Sequence, residues 1–377
     1  MKILIIDAYY PRFLAHAVQH IDVSGLGYRD MLAEFMRLRF GTSDFYSRHL
    51  QRLGHDADDI IFNCEVLQRR WADEHGVHVG GGGVRIPARI ARLPLIRQWV
   101  ARRNTLLEIV LHQVRRARPD VLYLQDLNLF PPEILRSLKN SVGLVVGQIA
   151  CPLPTNDYLR AFDLILTSFP HYVGRFRDMG IDSEYFRIGF DPIVLDELGS
   201  VARTRPCTFV GGVSPAHGGR IEFLEQLAKS VDIEFFGYGA DTLPTSSPIL
   251  PQHRGEAWAM DMYRALAESH ITVNVHIDVA ENFANNMRLY EATGCGALLI
   301  TDRKDNLSEL FTPGTEIITY RSPGEAVEYI TYYMNHPEEM AAVARAGQER
   351  TLRNHTYRHR MEELEGILER YLKRGRK

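Results

Sequence analysis

Arg288 and Glu291 stand three positions apart in the run Asn-Asn-Met-Arg-Leu-Tyr-Glu-Ala-Thr-Gly-Cys-Gly that begins at Asn285. On a helix that spacing places a cation and an acid on one face. The glycines Gly294 and Gly296 break the helix, and an apolar run, Ala297 to Thr301, reads as the strand that follows. A guanidinium can fork onto a diphosphate. A carboxylate can accept hydrogen bonds from a ribose diol, as an acid does in dinucleotide-binding folds. Asn286 precedes the pair and belongs to the same constellation.

A matching phosphate half lies earlier, at Phe209-Val-Gly-Gly-Val-Ser-Pro-Ala-His-Gly-Gly-Arg220. It follows a strand-like run and opens a helical one. Gly211, Gly212 and Gly218 would let the main chain approach a ligand, and a helix N-terminus offers free N–H groups. His217 and Arg220 add polar and cationic side chains. The pattern is neither Gly-x-Gly-x-x-Gly nor a Walker loop, which disfavours a dehydrogenase or an NTPase. A third element joins Tyr238, in Phe236-Gly-Tyr-Gly239, to Gly255 and Glu256, in His253-Arg-Gly-Glu-Ala-Trp258. Loops at strand ends commonly hold a base by hydrogen bonds and apolar contact, and plain connecting loops read the same way.

The first half offers Asp7 at the end of its first strand, Asp126 after another, and His171 after a third. Each is a candidate to orient or deprotonate an acceptor hydroxyl. Asp44, in Gly41-Thr-Ser-Asp-Phe-Tyr46, is a further candidate, with helix capping by Ser43 or Asp44 as the plainer reading.

Positioning these residues requires strands that alternate with helices. Short apolar runs are read as strands at 2–7, 59–63, 121–125, 143–147, 164–167 and 185–188, then at 207–210, 233–237, 271–275, 297–301 and 316–319. Three- and four-residue apolar spacing between them predicts helices, among them 105–116, 220–229, 258–269, 287–292 and 357–373. Such alternation indicates α/β architecture with parallel sheets. The pattern restarts near Cys207. We therefore read two Rossmann-like doubly wound domains facing a cleft: residues 1–190 and 191–355, joined near Gly189-Phe-Asp-Pro192. Residues 356–377 form a final amphipathic helix expected to pack back on the first domain.

The 377 residues are 45% hydrophobic and 24% charged, ordinary for a globular protein, and the net charge of −3 argues against nucleic-acid binding. Four dispersed cysteines predict reduced, mostly buried thiols. No apolar run reaches the roughly 18 residues of a membrane span, and the expected compartment is the cytoplasm. Arg85 to Arg118 holds nine arginines against one acid. It reads as a loop and a solvated helix face, or else as a basic surface for an anionic acceptor or peripheral membrane contact.

The second half resembles the C-terminal domain of GT-B glycosyltransferases, of the "glycosyl transferases group 1" type found in a spore-maturation-like branch. The resemblance rests on Phe-Val-Gly-Gly at 209–212, His217 with Arg220, Met-Tyr-Arg-Ala-Leu at 262–266, and Asn286 with Arg288-Leu-Tyr-Glu-Ala-Thr-Gly294. It also rests on Leu310-Phe-Thr-Pro-Gly314 and Tyr332-Tyr-Met-Asn-His-Pro337. It implies transfer of a sugar from a nucleoside-diphosphate donor such as UDP-sugar to a hydroxyl of a glycan, protein or small molecule. It implies Arg288 on the diphosphate, Glu291 on the ribose, the 211–220 loop at the phosphates and 253–258 at the base. No cofactor or metal is implied; no Asp-x-Asp pair follows a strand, and the expectation leans to retention of anomeric configuration. Many relatives carry a further glutamate eight positions before Glu291, where this chain has Phe283. An epimerase or hydrolase on the same frame, or a non-catalytic sugar-nucleotide binder, are the alternatives.

Overall fold

The computed structural model describes residues 1–79, 94–213, 219–284 and 286–375. Among the described residues, eleven strands divide into two all-parallel sheets. The first contains β1 (Lys2–Asp7), β2 (Asp56–Ile61), β3 (Val121–Leu124), β4 (Leu144–Ile149), β5 (Leu164–Thr167) and β6 (Ser183–Tyr185), in the order β2-β1-β3-β4-β5-β6. The second contains β7 (Arg205–Val210), β8 (Glu234–Phe236), β9 (Ser269–Asn274), β10 (Leu298–Asp302) and β11 (Ile318–Tyr320), in the order β11-β10-β9-β7-β8. Central strands such as β3 (Val-Leu-Tyr-Leu) are buried on both faces, so they read as unbroken apolar runs.

Two strands sit differently from their sequence reading. β2 begins at Asp56, paired with Lys2, rather than at Asp59. It is an edge strand, where acids such as Asp56 and Asp58 are tolerated and discourage edge pairing. β6, the opposite edge, ends at Tyr185, where the predicted strand began.

In each sheet the chain order reverses once, between β1 and β3 and between β7 and β9. Such switch points open crevices at the carboxyl ends of the strands. The chain passes between the sheets twice, and the passages pair: Phe190 N–H donates to His355 O at 2.9 Å, and Tyr357 N–H to Phe190 O at 3.0 Å. A Cβ on Gly294 would lie 2.5 Å from the Phe190 ring, so the helix Met287–Gly294 rests directly on this passage. The last helix, Tyr357–Gly375, crosses to the first sheet. It packs on the helix Phe45–Arg52 and on β4, burying Met361, Leu364, Ile367 and Leu368. Each such side chain contributes about 1.5–3 kcal/mol.

Of the Arg85–Arg118 segment, residues 85–93 lie outside the described residues. In the helix Pro94–Ala117, Arg102 pairs with Glu65 at 2.5 Å and Arg103 donates to Asn128 O, while Ile109 and Val110 are buried.

Candidate active site

The crevice between β7 and β9 is built from three loops and two helix starts. Gly211 N–H donates to Phe236 O (2.8 Å), Val213 N–H to Tyr238 O (2.9 Å) and Gly237 N–H to Gly255 O (2.9 Å), so the turn after β7 is tied to the loops at 236–239 and 253–255. Gly237 is required there: its φ is +146°, and a Cβ would lie 1.9 Å from Gly211 O. His217 and Gly218 of the predicted phosphate loop lie outside the described residues.

Two arginines flank this turn. Arg220 opens the helix Arg220–Ser230, and its Nη2 donates to Val275 O, just beyond β9, at 3.1 Å. Its Nη1 is 3.5 Å from Gly212 O, and among the described residues Nε has no partner. Burial lowers the Arg220 pKa, against Tyr238, Asp302 and Asp278. Arg288 reaches over β7 from the helix Met287–Gly294: its Nε donates to Val210 O at 3.0 Å. Its Nη1 lies 2.8 Å from Glu291 Oε2, with the two side chains 15% and 5% exposed. Burial raises the Glu291 pKa, opposed by the Arg288 charge and by a hydrogen bond from Tyr263. Asn286 caps the same helix through Leu289 N–H and donates to Asn274 Oδ1 at 2.8 Å, anchoring the helix start to β9.

The remaining candidates divide. Tyr238 and Trp258 lie with parallel rings, centroids 6.1 Å apart, and Tyr10 of the first unit meets both edge-on. Glu256 turns toward the first unit: it pairs with Arg12 at 2.6 Å, and Arg12 also reaches Asp241 at 3.1 Å. His171 stacks between Phe169 and Phe283, 5.2 Å from the latter, beside an ion pair of Arg175 with Glu281. Burial lowers the His171 pKa, against the Glu281 charge. Phe283 thus holds an aromatic contact across the cleft.

In the first unit Asp7 ends β1 and accepts a hydrogen bond from Ala8 N–H at 2.7 Å. Burial pushes its carboxyl up to about 7, opposed by that hydrogen bond and assisted by the nearby charge of Asp126. Asp126 accepts from Asn128 N–H at 2.8 Å in the loop after β3. The capping reading of Ser43 and Asp44 does not hold. The helix Phe45–Arg52 has no side-chain cap bond; Ser43 Oγ donates to Met36 O, and Asp44 pairs with Arg39 at 2.6 Å. Neither group faces an acceptor unencumbered.

Sequence reasoning missed Asn274, Tyr263, and the pair His276 and Asp302. Asn274-x-His276 at the end of the largely buried strand β9 was the available signal. Two cavities, of about 480 and 360 Å³, flank the edge strand β2 near Asp58 and Asp59, away from the β7/β9 crevice. Among the described residues no cluster of His, Cys, Asp or Glu could hold a metal ion, and no helix is long and apolar enough to cross a membrane. Cys64, Cys207 and Cys295 are buried, Cys151 is exposed, and all four are free.

Residues 220–366 match the family model described as "Glycosyl transferase-like". No curated protein sequence matches the chain. Among solved structures, the chain is similar to HepE of Anabaena, with a TM-score of 0.60 at 14% identity over 98% of this chain and 99% of that one. It is also similar to AviGT4, a glycosyltransferase involved in avilamycin A biosynthesis (0.57, 15%, 99% and 98%). A third is sucrose-phosphate synthase of Thermosynechococcus elongatus (0.58, 10%, 98% and 99%). The whole chain thus shares its α/β fold of two parallel sheets with these structures, and its residues 220–366 match the glycosyl transferase-like model.

Proposed function

We propose that the protein moves a sugar from a nucleoside-diphosphate sugar to an acceptor hydroxyl, with the diphosphate over the β7/β9 crevice. One observation carries this reading. Arg288 is pinned to Val210 O at the start of the glycine turn, with Glu291 buried beneath it. Arg220, at the other side of the same turn, supplies a second guanidinium. Support for the donor class comes from the fold neighbour HepE, whose crystal structures hold UDP and UDP-glucose.

As the bond to the sugar breaks, negative charge grows on the diphosphate. Fixed donors strengthen in that state, so Arg220 and Arg288 lower the barrier without needing a metal. Glu291 takes the ribose hydroxyls once a ligand draws Arg288 toward phosphate. Tyr238 and Trp258 lie beside the base. In the first unit Asp7 is the group best tuned to receive the acceptor's proton, since a base with a pKa near the working pH transfers protons most effectively. That observation favours inversion as a second reading beside retention, and the anomeric configuration of the product by NMR separates them. The acceptor is a glycan, a protein or a small molecule, and the compartment proposed is the cytoplasm, in keeping with four unpaired thiols.

Thermal-shift titration with UDP, GDP, ADP, CMP and NAD tests the donor site. A ligand at 100 times its dissociation constant adds about 2.7 kcal/mol of stability. Stabilisation by NAD alone, or by none of the diphosphates, would refute the reading. Release of diphosphate that depends on acceptor distinguishes a transferase from a hydrolase, an epimerase or a binder.

A further inference from the structure

A second polar pair at this end of the sheet is used by neither the glycine turn nor Arg288. Asp302 closes β10, and His276 lies two residues past β9. The His276 Nδ1 is 2.6 Å from Asp302 Oδ1, and the same oxygen accepts the His276 backbone N–H at 3.1 Å. Burial raises the Asp302 pKa, but the hydrogen bonds and charge of His276, with Lys304 at 3.3 Å, outweigh it and hold the carboxyl below its ordinary value. An ionised carboxylate only accepts hydrogen bonds, so Nδ1 carries the hydrogen and Nε2 is the ring atom left for another partner.

That atom has nothing to meet: the His276 side chain is 1% exposed, and among the described residues Nε2 has no hydrogen-bond partner. Buried polar atoms in native structures are nearly always satisfied, so an orphan asks for a reason. Its neighbourhood is the donor crevice: Arg220 donates to the carbonyl of Val275, the residue immediately before His276. The charged and titratable groups gathered here are Asp302 and Lys304 from the end of β10, Arg220 and Asp278, and Tyr320 from β11. The cations serve an anionic ligand. A lone ring nitrogen is suited to a neutral partner that can both donate and accept, and a sugar hydroxyl is such a partner.

We propose that His276 reads the sugar of the donor: Nε2 hydrogen-bonds a hydroxyl of the sugar carried on the nucleoside diphosphate, and Asp302 holds the hydrogen on Nδ1 and orients the ring. This rests on the donor site proposed above and extends it past the diphosphate. His276 is then a specificity residue, and Asp302 a positioning residue that acts through it. A site built to bond a hydroxyl loses discrimination when that bond is removed.

The test is calorimetric titration of the full chain and its His276→Phe and Asp302→Asn variants. The ligands are UDP-glucose, GDP-mannose and ADP-glucose, each beside its free diphosphate. In His276→Phe the affinity for the preferred sugar nucleotide should fall about five- to tenfold, while that for the matching diphosphate stays within twofold. A purely structural role would move both equally. Asp302→Asn, which keeps the shape but frees the tautomer, should lower the same ratio in the same direction and covers the case in which His276→Phe does not fold. Equal losses for sugar nucleotide and diphosphate, or no loss for either, overturn the inference while leaving the donor site standing. Binding of none of the six ligands by the wild-type chain overturns both.

Discussion

Replacing Arg288 by alanine probes the centre of the proposed site in two ways that can be separated. The guanidinium is 2.8 Å from Glu291 and donates to Val210 O at 3.0 Å, and both side chains of the pair are largely buried. Removing one partner of a fully buried ion pair costs about 3–5 kcal/mol. Glu291 keeps its hydrogen bond from Tyr263 and already has a raised pKa, so it can take up a proton when the cation is lost. We therefore expect a stability loss of about 2–3 kcal/mol, toward the low end of that range. The loss in binding has a different origin. A charge-assisted hydrogen bond is worth about 1.5–3 kcal/mol, so diphosphate affinity should fall roughly 10- to 150-fold. Adding Glu291→Gln to Arg288→Ala separates the two effects. A neutral amide needs no cation, so the double variant should regain about 1–2 kcal/mol of stability and none of the affinity. Urea unfolding measures the first quantity and calorimetry with the best-stabilising diphosphate the second. Affinity within twofold of wild type for Arg288→Ala, or affinity restored in the double variant, would refute the reasoning, because the arginine would then act only through packing.

Gly237→Ala places a methyl group 1.9 Å from Gly211 O at a φ of +146°. It should displace the turn after β7, lower the melting temperature by several degrees and weaken diphosphate binding more than about tenfold; an unchanged titration would free the turn of any ligand role. Asp7 has a folded-state pKa of about 7, above its ordinary 3.8. Its contribution to stability is therefore fully present below about pH 4 and is lost as pH rises through about 7. Asp7→Asn should thus melt higher than wild type at pH 8 and alike at pH 4. The wild-type transfer rate should climb through pH 7, and the variant should lack that limb; a pH limb preserved in Asp7→Asn assigns the proton elsewhere. Leu364→Ala empties a fully buried position in the last helix and should cost about 2–5 kcal/mol by urea unfolding. A shift below 0.5 kcal/mol would contradict its packing against the first sheet.

The sheets were legible because their central strands are apolar on both faces, so β1, β3 and β5 stand out as uninterrupted runs. β2 was shifted because its first half is acidic, and only its place at a sheet edge makes Asp56 and Asp58 acceptable strand residues. Arg288 and Glu291 were legible because helical spacing is local: three residues apart on one helix, they must be neighbours. Nothing local announces that His276 and Asp302 meet, since their contact depends on β9 lying beside β10. The same limit applies to Glu256, whose partner Arg12 comes from the other sheet's layer. It applies again to Asp44, whose arginine partners occupy it before any acceptor could.

The helix Tyr357–Gly375 has a consequence for how the chain is made. It covers the helix Phe45–Arg52 and β4, yet it is synthesised after the whole second sheet. At 5–20 residues per second, the first sheet waits on the order of ten to forty seconds on the ribosome for its missing cover. During that interval apolar residues including Phe45 and Tyr46, which end up against Tyr357, lack that partner. A nascent chain of this kind exposes a sticky face until that helix emerges, which makes the first unit the part most in need of a chaperone.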